Sequence, residues 1–317
     1  DLHSFPTRRS SDLVVGELLK KYGICGDYRI DGDLEFEALG LIEASLDNNF
    51  CAFIDDESYI ERIPDNVTMI LTSKDLADEF SGDNHGICIV EDPRNTFFKL
   101  HNCLAEDDFY RRKPYETKIG RDCVIHPSAS ISDISVTIGE RCIIEENVVI
   151  RENAVIGDDC ILRAGAVIGG EDFEFKRCGG KVFGVKHIGG VVLGNEVEVQ
   201  YNSGINKALY PWDDTVIGDC SKIDMLVHIA HGVKIGKNVM VVANSGIGGR
   251  TVIGDDCWIG FASTLRNGIT IGDRARVNMG SVVTKSVASG DSVTGNFAIN
   301  HEDFIENLKA IKNKKVK

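Results

Sequence analysis

The segment KIDMLVHIAHGVKIG, Lys222–Gly236, sets two histidines three residues apart among aliphatics, glycine and lysine. A surface wall of short strands has little use for such a pair. An imidazole titrating near pH 6.5 can take a proton from a hydroxyl or an amine as that group attacks a thioester. His231 lies two residues past the aliphatic Ile229, on the expected outer surface near a corner of the chain. A surface histidine without a task is the bland alternative. His228 and His231 also suit metal ligation, but a third suitably placed histidine is missing from the pattern.

A repeat must position these side chains. From Ile119 an aliphatic residue returns every six positions, at Ile125 and Ile131, then after one extra residue from Ile138 to Ile168. The pattern breaks, resumes at Leu193, Val199 and Ile205, and breaks again over Lys207–Asp214. It then runs without interruption from Ile217 to Val283. Each hexad reads as one short strand with its aliphatic pointing inward. Three such faces close a triangular coil of about 18 residues, and coils stack at the strand spacing of about 4.8 Å. Gly, Asn and Asp between the strands supply left-handed corner geometry. Hexapeptide coils of this kind wind left-handed, against the usual crossover rule. The expected fold is therefore mainly β: a left-handed parallel β-helix with a small N-terminal α/β domain and a C-terminal helix.

Four regions follow. Residues 1–13 (DLHSFPTRRSSDL) lack an initiating Met and read like a translated sequencing adapter, so they are excluded from fold reasoning; without an apolar core they are no signal peptide. Residues 14–115 combine the helical VVGELLKKYG with strand-like FCAFI, TMILT and GICIV. Residues 116–295 carry the hexads. Residues 296–317 read as an amphipathic helix with Phe304, Ile305, Leu308 and Ile311 on its apolar stripe and a basic end formed by Lys309, Lys312, Lys314, Lys315 and Lys317.

The net charge of −14 argues against nucleic acid, whose phosphates reward basic surfaces. No apolar run is long enough for a membrane span. Ten cysteines spread along the chain without a CxxC pair are not a disulfide framework. Cys123, Cys142, Cys160 and Cys257 each sit two residues before a repeat aliphatic, where a small residue is needed. Reduced thiols fit the cytoplasm.

On these residues the chain resembles the UDP-3-O-acylglucosamine N-acyltransferases of lipid A synthesis, a branch of the hexapeptide-repeat acyltransferases. Lys222–Gly236 is similar to the family signature KIDNLVxIAHNVxIG, GGEDFEF at Gly169–Phe175 to GADGFGF, and FIDDESY at Phe53–Tyr59 to FLxNPKY. The order of parts also agrees, from about Val14 to Gly295. The resemblance implies that His231 is a general base and that Asp224 helps to orient it. It also implies that Gly249, 18 residues and so one coil beyond His231, offers its backbone N–H to the oxyanion. It assigns Phe53 and Tyr59 to a uracil sandwich, with Asp56 in the family's Asn position and His228 beside the substrate. A purely structural role for Gly249 (a corner) and for the two aromatics (core) stays open.

The departures bear on substrate. Glu57 and Ser58 replace Pro and Lys, Met225 and Gly232 replace two Asn, and Gly268 stands where the family has a second histidine. The basic stretch Lys176–His187 could offset the added acid near a pyrophosphate. The end of the β-helix looks more like sugar O- and N-acetyltransferases of surface-polysaccharide loci. The leading expectation is an acyltransferase, without a tightly bound cofactor, that moves an acyl group from an acyl carrier protein or CoA thioester to a UDP-sugar. A homotrimer would complete its sites. The alternatives are an acetyl-CoA-dependent sugar acetyltransferase and a non-catalytic nucleotide-sugar-binding scaffold. The basic C-terminal end fits docking of an acidic carrier protein and equally a solvated tail.

Overall fold

The computed structural model describes residues 13–44, 46–80, 84–295 and 298–314. From Lys118 to Val293, strands of two to four residues stack into three parallel sheets of nine, eight and eight strands. With the inserted hairpin set aside, strands three apart in sequence pair with one another, save for the last pair, two apart, so the chain passes through each sheet once per coil, as a left-handed β-helix. The register is that of the hexads: Ile229 lies over Ile247, and Leu265 over Val283, both one 18-residue coil apart. The inward aliphatics form one continuous core, with Ile144, Ile150, Ile205, Ile229, Ile247 and Ile259 at most 1% exposed.

The corners use left-handed backbone, as the sequence leads one to expect. Asn147, Asn238, Asn244, Asp159 and Asp256 have φ between 55° and 58°. Short polar side chains tolerate this region by bonding their own backbone. Leu226 and Ala262 adopt it without that help.

The cysteines explain themselves in the ladder. Cys142, Cys160 and Cys257 are buried, and each thiol donates to a carbonyl of the following coil, at 3.1 Å in all three cases. Ser221 and Ser245 make the same bond from equivalent positions, at 2.9 and 3.0 Å. The site needs a small side chain that can also donate, and Cys and Ser both qualify. All ten cysteines are free thiols.

The N-terminal domain opens with α1 (Val15–Tyr22) and holds five strands: β1 (Arg29–Asp31), β2 (Ala38–Leu39), β3 (Phe50–Ile54), β4 (Val67–Thr72) and β5 (Gly86–Ile89). Their order is β1-β5-β4-β3-β2, with only β1 antiparallel to its neighbour. Helix α2 (Pro93–Leu104), capped by Asp92, covers one face. Strand alternation sends Cys51 and Phe53 to that face and Phe50, Ala52 and Ile54 to the other. Leu13, grouped above with residues 1–13, is buried and pairs with Phe36; residues 1–12 lie outside the described residues.

Two insertions interrupt the coils. Ile168 pairs with Ile205, 37 residues on instead of 18, and Ile205 with Ile229, 24 residues on. The first insertion carries an antiparallel hairpin, Phe175–Cys178 with Lys181–Gly184. The second places Tyr210 and Trp212 in a parallel stack 5.1 Å apart. Trp212 donates to the Leu39 carbonyl, and Arg112 donates to the carbonyls of Pro211 and Asp213. The insertions thereby fasten the β-helix to the N-terminal domain. Helix α3 (His301–Lys314) follows the last coil, and its Phe304, Leu308 and Ile311 are exposed. The side chains of Lys312, Lys314, Lys315 and Lys317 lie outside the described residues. Among the described residues no helix is long and apolar enough to cross a membrane.

Candidate active site

His231 lies in the turn after the strand His228–Ile229, just before a left-handed corner at Gly232 (φ 66°). Its side chain points outward from the core, as the spacing requires, yet it is 5% exposed instead of lying on open surface. The first insertion accounts for the difference. Gly169, at φ 81°, and a register break between Ile168 and Gly170 turn the chain out of the coil. The following residues fold back over the corner two coils away.

That return delivers Asp172. Its Oδ2 accepts both the backbone N–H of His231, at 2.9 Å, and the ring Nδ1–H, at 2.7 Å. Phe173 N–H donates to Oδ1 at 2.8 Å. Burial opposes ionisation of Asp172, but the hydrogen bonds from His231 and Phe173 outweigh it and hold the carboxyl well below the usual carboxylate range. A carboxylate here keeps the proton of His231 on Nδ1 and leaves Nε2 with a bare lone pair. Nε2 is buried without a hydrogen-bond partner; the Glu174 carboxylate lies 3.8 Å away and is paired with Lys176.

Gly249 stands one coil beyond, against the same ring. A Cβ on it would meet His231 Nε2 at 2.6 Å and Cε1 at 2.7 Å. Glycine is therefore required for the imidazole to sit where it does. The Arg250 N–H donates to the His231 carbonyl at 2.9 Å, tying the two corners. Residues 231 and 249 thus share one edge.

Other expected residues fall elsewhere. Asp224 does not touch His231: its Oδ1 accepts Met225 N–H at 2.7 Å and its Oδ2 accepts Ala243 N–H at 3.0 Å, so it braces a different corner. The carboxylate that orients the imidazole is Asp172, which the sequence reading missed. It comes from an aperiodic insertion 59 residues away, and although it is the Asp of the GGEDFEF motif, that motif is read there without a role for it. His228 is exposed, with Nε2 3.6 Å from Asp172 Oδ1. Phe53 and Tyr59 are not brought together. Phe53 packs on Phe97 and Phe98 at 5.1 and 5.8 Å, whereas Tyr59 packs with the cluster on the opposite sheet face. Asp56 caps the short helix after β3 by accepting Ser58 N–H at 2.9 Å. Of the basic stretch, Lys176 pairs with Glu174 and Lys186 with Glu106, so two of its charges are neutralised locally. Among the described residues, no three His, Cys, Asp or Glu side chains are arranged to hold a metal ion.

One further histidine lines the site. His187, 3% exposed, meets the His231 ring edge-to-face with centroids 5.8 Å apart. Burial first, and the neighbouring His231 second, push its pKa down to about 4. His101, on the buried face of α2, donates from Nε2 to the Lys186 carbonyl at 2.9 Å, and burial likewise pushes its pKa down to about 4. Unfolded histidine titrates near 6.5, so between these values the unfolded chain binds more protons. The stabilisation is complete above about pH 6.5 and is lost as pH falls toward 4. Denaturant melts should show a loss of about 2 kcal/mol per histidine between pH 7 and 5. A His187→Phe variant should show about half the total drop.

Comparison with known proteins bears on this arrangement. A family described as bacterial transferase hexapeptide (six repeats) matches residues 135–170 and 214–249. One described as hexapeptide repeat of succinyl-transferase matches residues 116–152 and 250–285. The UDP-3-O-acylglucosamine N-acyltransferase of Bordetella parapertussis is 38% identical over 111 residues, 35% of this chain and 30% of that protein. The enzyme of the same name from Delftia acidovorans is 34% identical over 145 residues, 46% of this chain and 41% of that protein. A solved Arabidopsis UDP-N-acetylglucosamine acyltransferase superimposes with a TM-score of 0.51 at 27% identity, covering 61% of this chain and 67% of that one. The matched stretch spans less than half the length of either curated relative. Repeats, coil geometry and these matches together make the chain a hexapeptide-repeat protein of the left-handed β-helix type, similar in part to UDP-3-O-acylglucosamine N-acyltransferases.

Proposed function

We propose that the chain transfers an acyl group from a thioester, carried by an acyl carrier protein or CoA, to an amine or hydroxyl of a UDP-linked sugar. The observation that carries this reading is the bare, carboxylate-backed Nε2 of His231 set against Gly249. In the proposed step Nε2 takes the proton of the acceptor group as its nitrogen or oxygen attacks the thioester carbonyl. The Gly249 N–H serves the developing oxyanion. Collapse breaks the C–S bond, and the imidazolium returns the proton to the departing thiolate. Asp172 holds the imidazole and offsets its charge while it is protonated. The names of the partial relatives supply the substrate class, and the hexapeptide fold agrees with it.

A second copy of the chain is part of the reading. Phe173, next to Asp172, is 86% exposed and packs at a tilt against Phe175, an apolar patch that a neighbouring prism in a trimer would cover. The exposed stripe of α3 offers a further surface for a copy or a carrier protein. Mass spectrometry after incubation with UDP-sugars and UDP-amino-sugars, each with acetyl-CoA, long-chain acyl-CoA or acyl carrier protein, tests the activity. Acylated UDP-sugar with matching thiol release is expected. Turnover with acetyl-CoA alone selects the acetyltransferase version. Nucleotide-sugar binding with no thioester consumed under any donor would overturn the enzyme reading in favour of a binding scaffold.

A further inference from the structure

We propose that His187 is a substrate-positioning residue of the acyl-transfer site, hydrogen-bonding a polar substituent of the acceptor sugar next to the group that His231 deprotonates. The inference rests on the acyl-transfer reading above. Both ring nitrogens of His187 are buried with no hydrogen-bond partner, as is Nε2 of His231 against which its ring packs. Two adjacent imidazoles leaving three buried polar atoms unsatisfied is costly, because each has given up water without gaining a partner. Buried orphans of this kind in a folded chain mark a place that something else fills.

The chemistry of the ligand follows from the ring. With its pKa held near 4, His187 is neutral at pH 7 and presents one N–H donor and one acceptor. It suits a group that both donates and accepts, and a sugar hydroxyl or an N-acyl amide vicinal to the nucleophile is such a group. A cation in this position would repel the imidazolium that forms on His231; a neutral ring does not. The position also belongs to the insertion and not to a coil. Its backbone lies just before Ile188 and Gly189, whose N–H groups bond the second insertion at the Leu209 and Ala208 carbonyls. The ring is thus held on a wall built from both insertions, the part of the molecule that departs from the bare repeat and where acceptor preference can vary without disturbing the coils.

The test compares His187→Phe, which keeps a ring of similar shape without polar atoms, and His187→Gln, which keeps a donor and an acceptor, with wild type. KM and kcat are measured separately for sugar and thioester. His187→Phe should lower kcat/KM for the sugar by about 10–100-fold with KM for the thioester unchanged, and His187→Gln should restore most of it. A purely packing role predicts the reverse order, with Phe near wild type and Gln impaired. His187→Phe within about threefold of wild type for the sugar would overturn the proposal while leaving the acyl-transfer reading intact. A wild-type chain that consumes no thioester with any UDP-sugar instead overturns the reading itself, and this inference with it.

Discussion

A His231→Ala chain is expected to turn over about 10²–10⁴-fold more slowly than wild type, with the fold unchanged. The ring is the one group that touches Asp172 through Nδ1 and faces Gly249 through Nε2. Removing it takes away the atom that accepts the proton and leaves the Asp172 carboxylate with the backbone N–H of His231 as its remaining contact there. Glu174 is no substitute base, because Lys176 already pairs with it. The measurement is thiol release under single-turnover conditions, with a thermal melt to verify folding. A rate within a few-fold of wild type would remove the base assignment.

Asp172→Asn should cost about 10²–10⁴-fold in kcat, although it merely replaces a carboxylate oxygen with an amide nitrogen. The wild-type carboxylate accepts two N–H groups from His231 at one oxygen. An amide offers one acceptor and one donor group. If its oxygen keeps the backbone N–H, its NH2 faces Nδ1, and the imidazole proton must move to Nε2. The ring then presents a donor where the reaction needs a base. Nitrogen NMR of the imidazole should report the inverted tautomer in the variant, alongside the kinetic loss. Full activity with an unchanged tautomer would mean that Asp172 merely packs the insertion in place.

The parts of this molecule differ in how visible they are in its sequence. The coils are legible because one constraint, a dry interior one side chain wide, recurs at every sixth residue and tolerates only aliphatics. The shared edge of His231 and Gly249 is legible for the same reason: a fixed coil length turns an 18-residue offset into a spatial neighbour. Asp172 is not legible, since the chain that carries it leaves the repeat and returns by a path that no period encodes. The same insertion buries His231, which spacing alone puts on the surface. Asp224 misleads for a local reason. An Asp near a corner has backbone N–H groups within reach, and Met225 and Ala243 claim both of its oxygens. Phe53 and Tyr59 fall in different clusters because one lies on the α2 side of β3 and the other in the short helix that follows it, a placement that six residues of spacing do not encode.

The row of thiols and hydroxyls that bond successive coils has a consequence for how the molecule comes apart. Each rung is joined chiefly to the two beside it, so melting resembles a zipper opening from its tips, with the terminal rungs fraying first. Hydrogen exchange should accordingly be fastest around Ile119 and Val293 and slowest near Ile223. The His231 corner sits several rungs from either tip, and both insertions clamp that stretch to the N-terminal domain. Rungs lost from an end would therefore shorten the rod well before they loosened the imidazole.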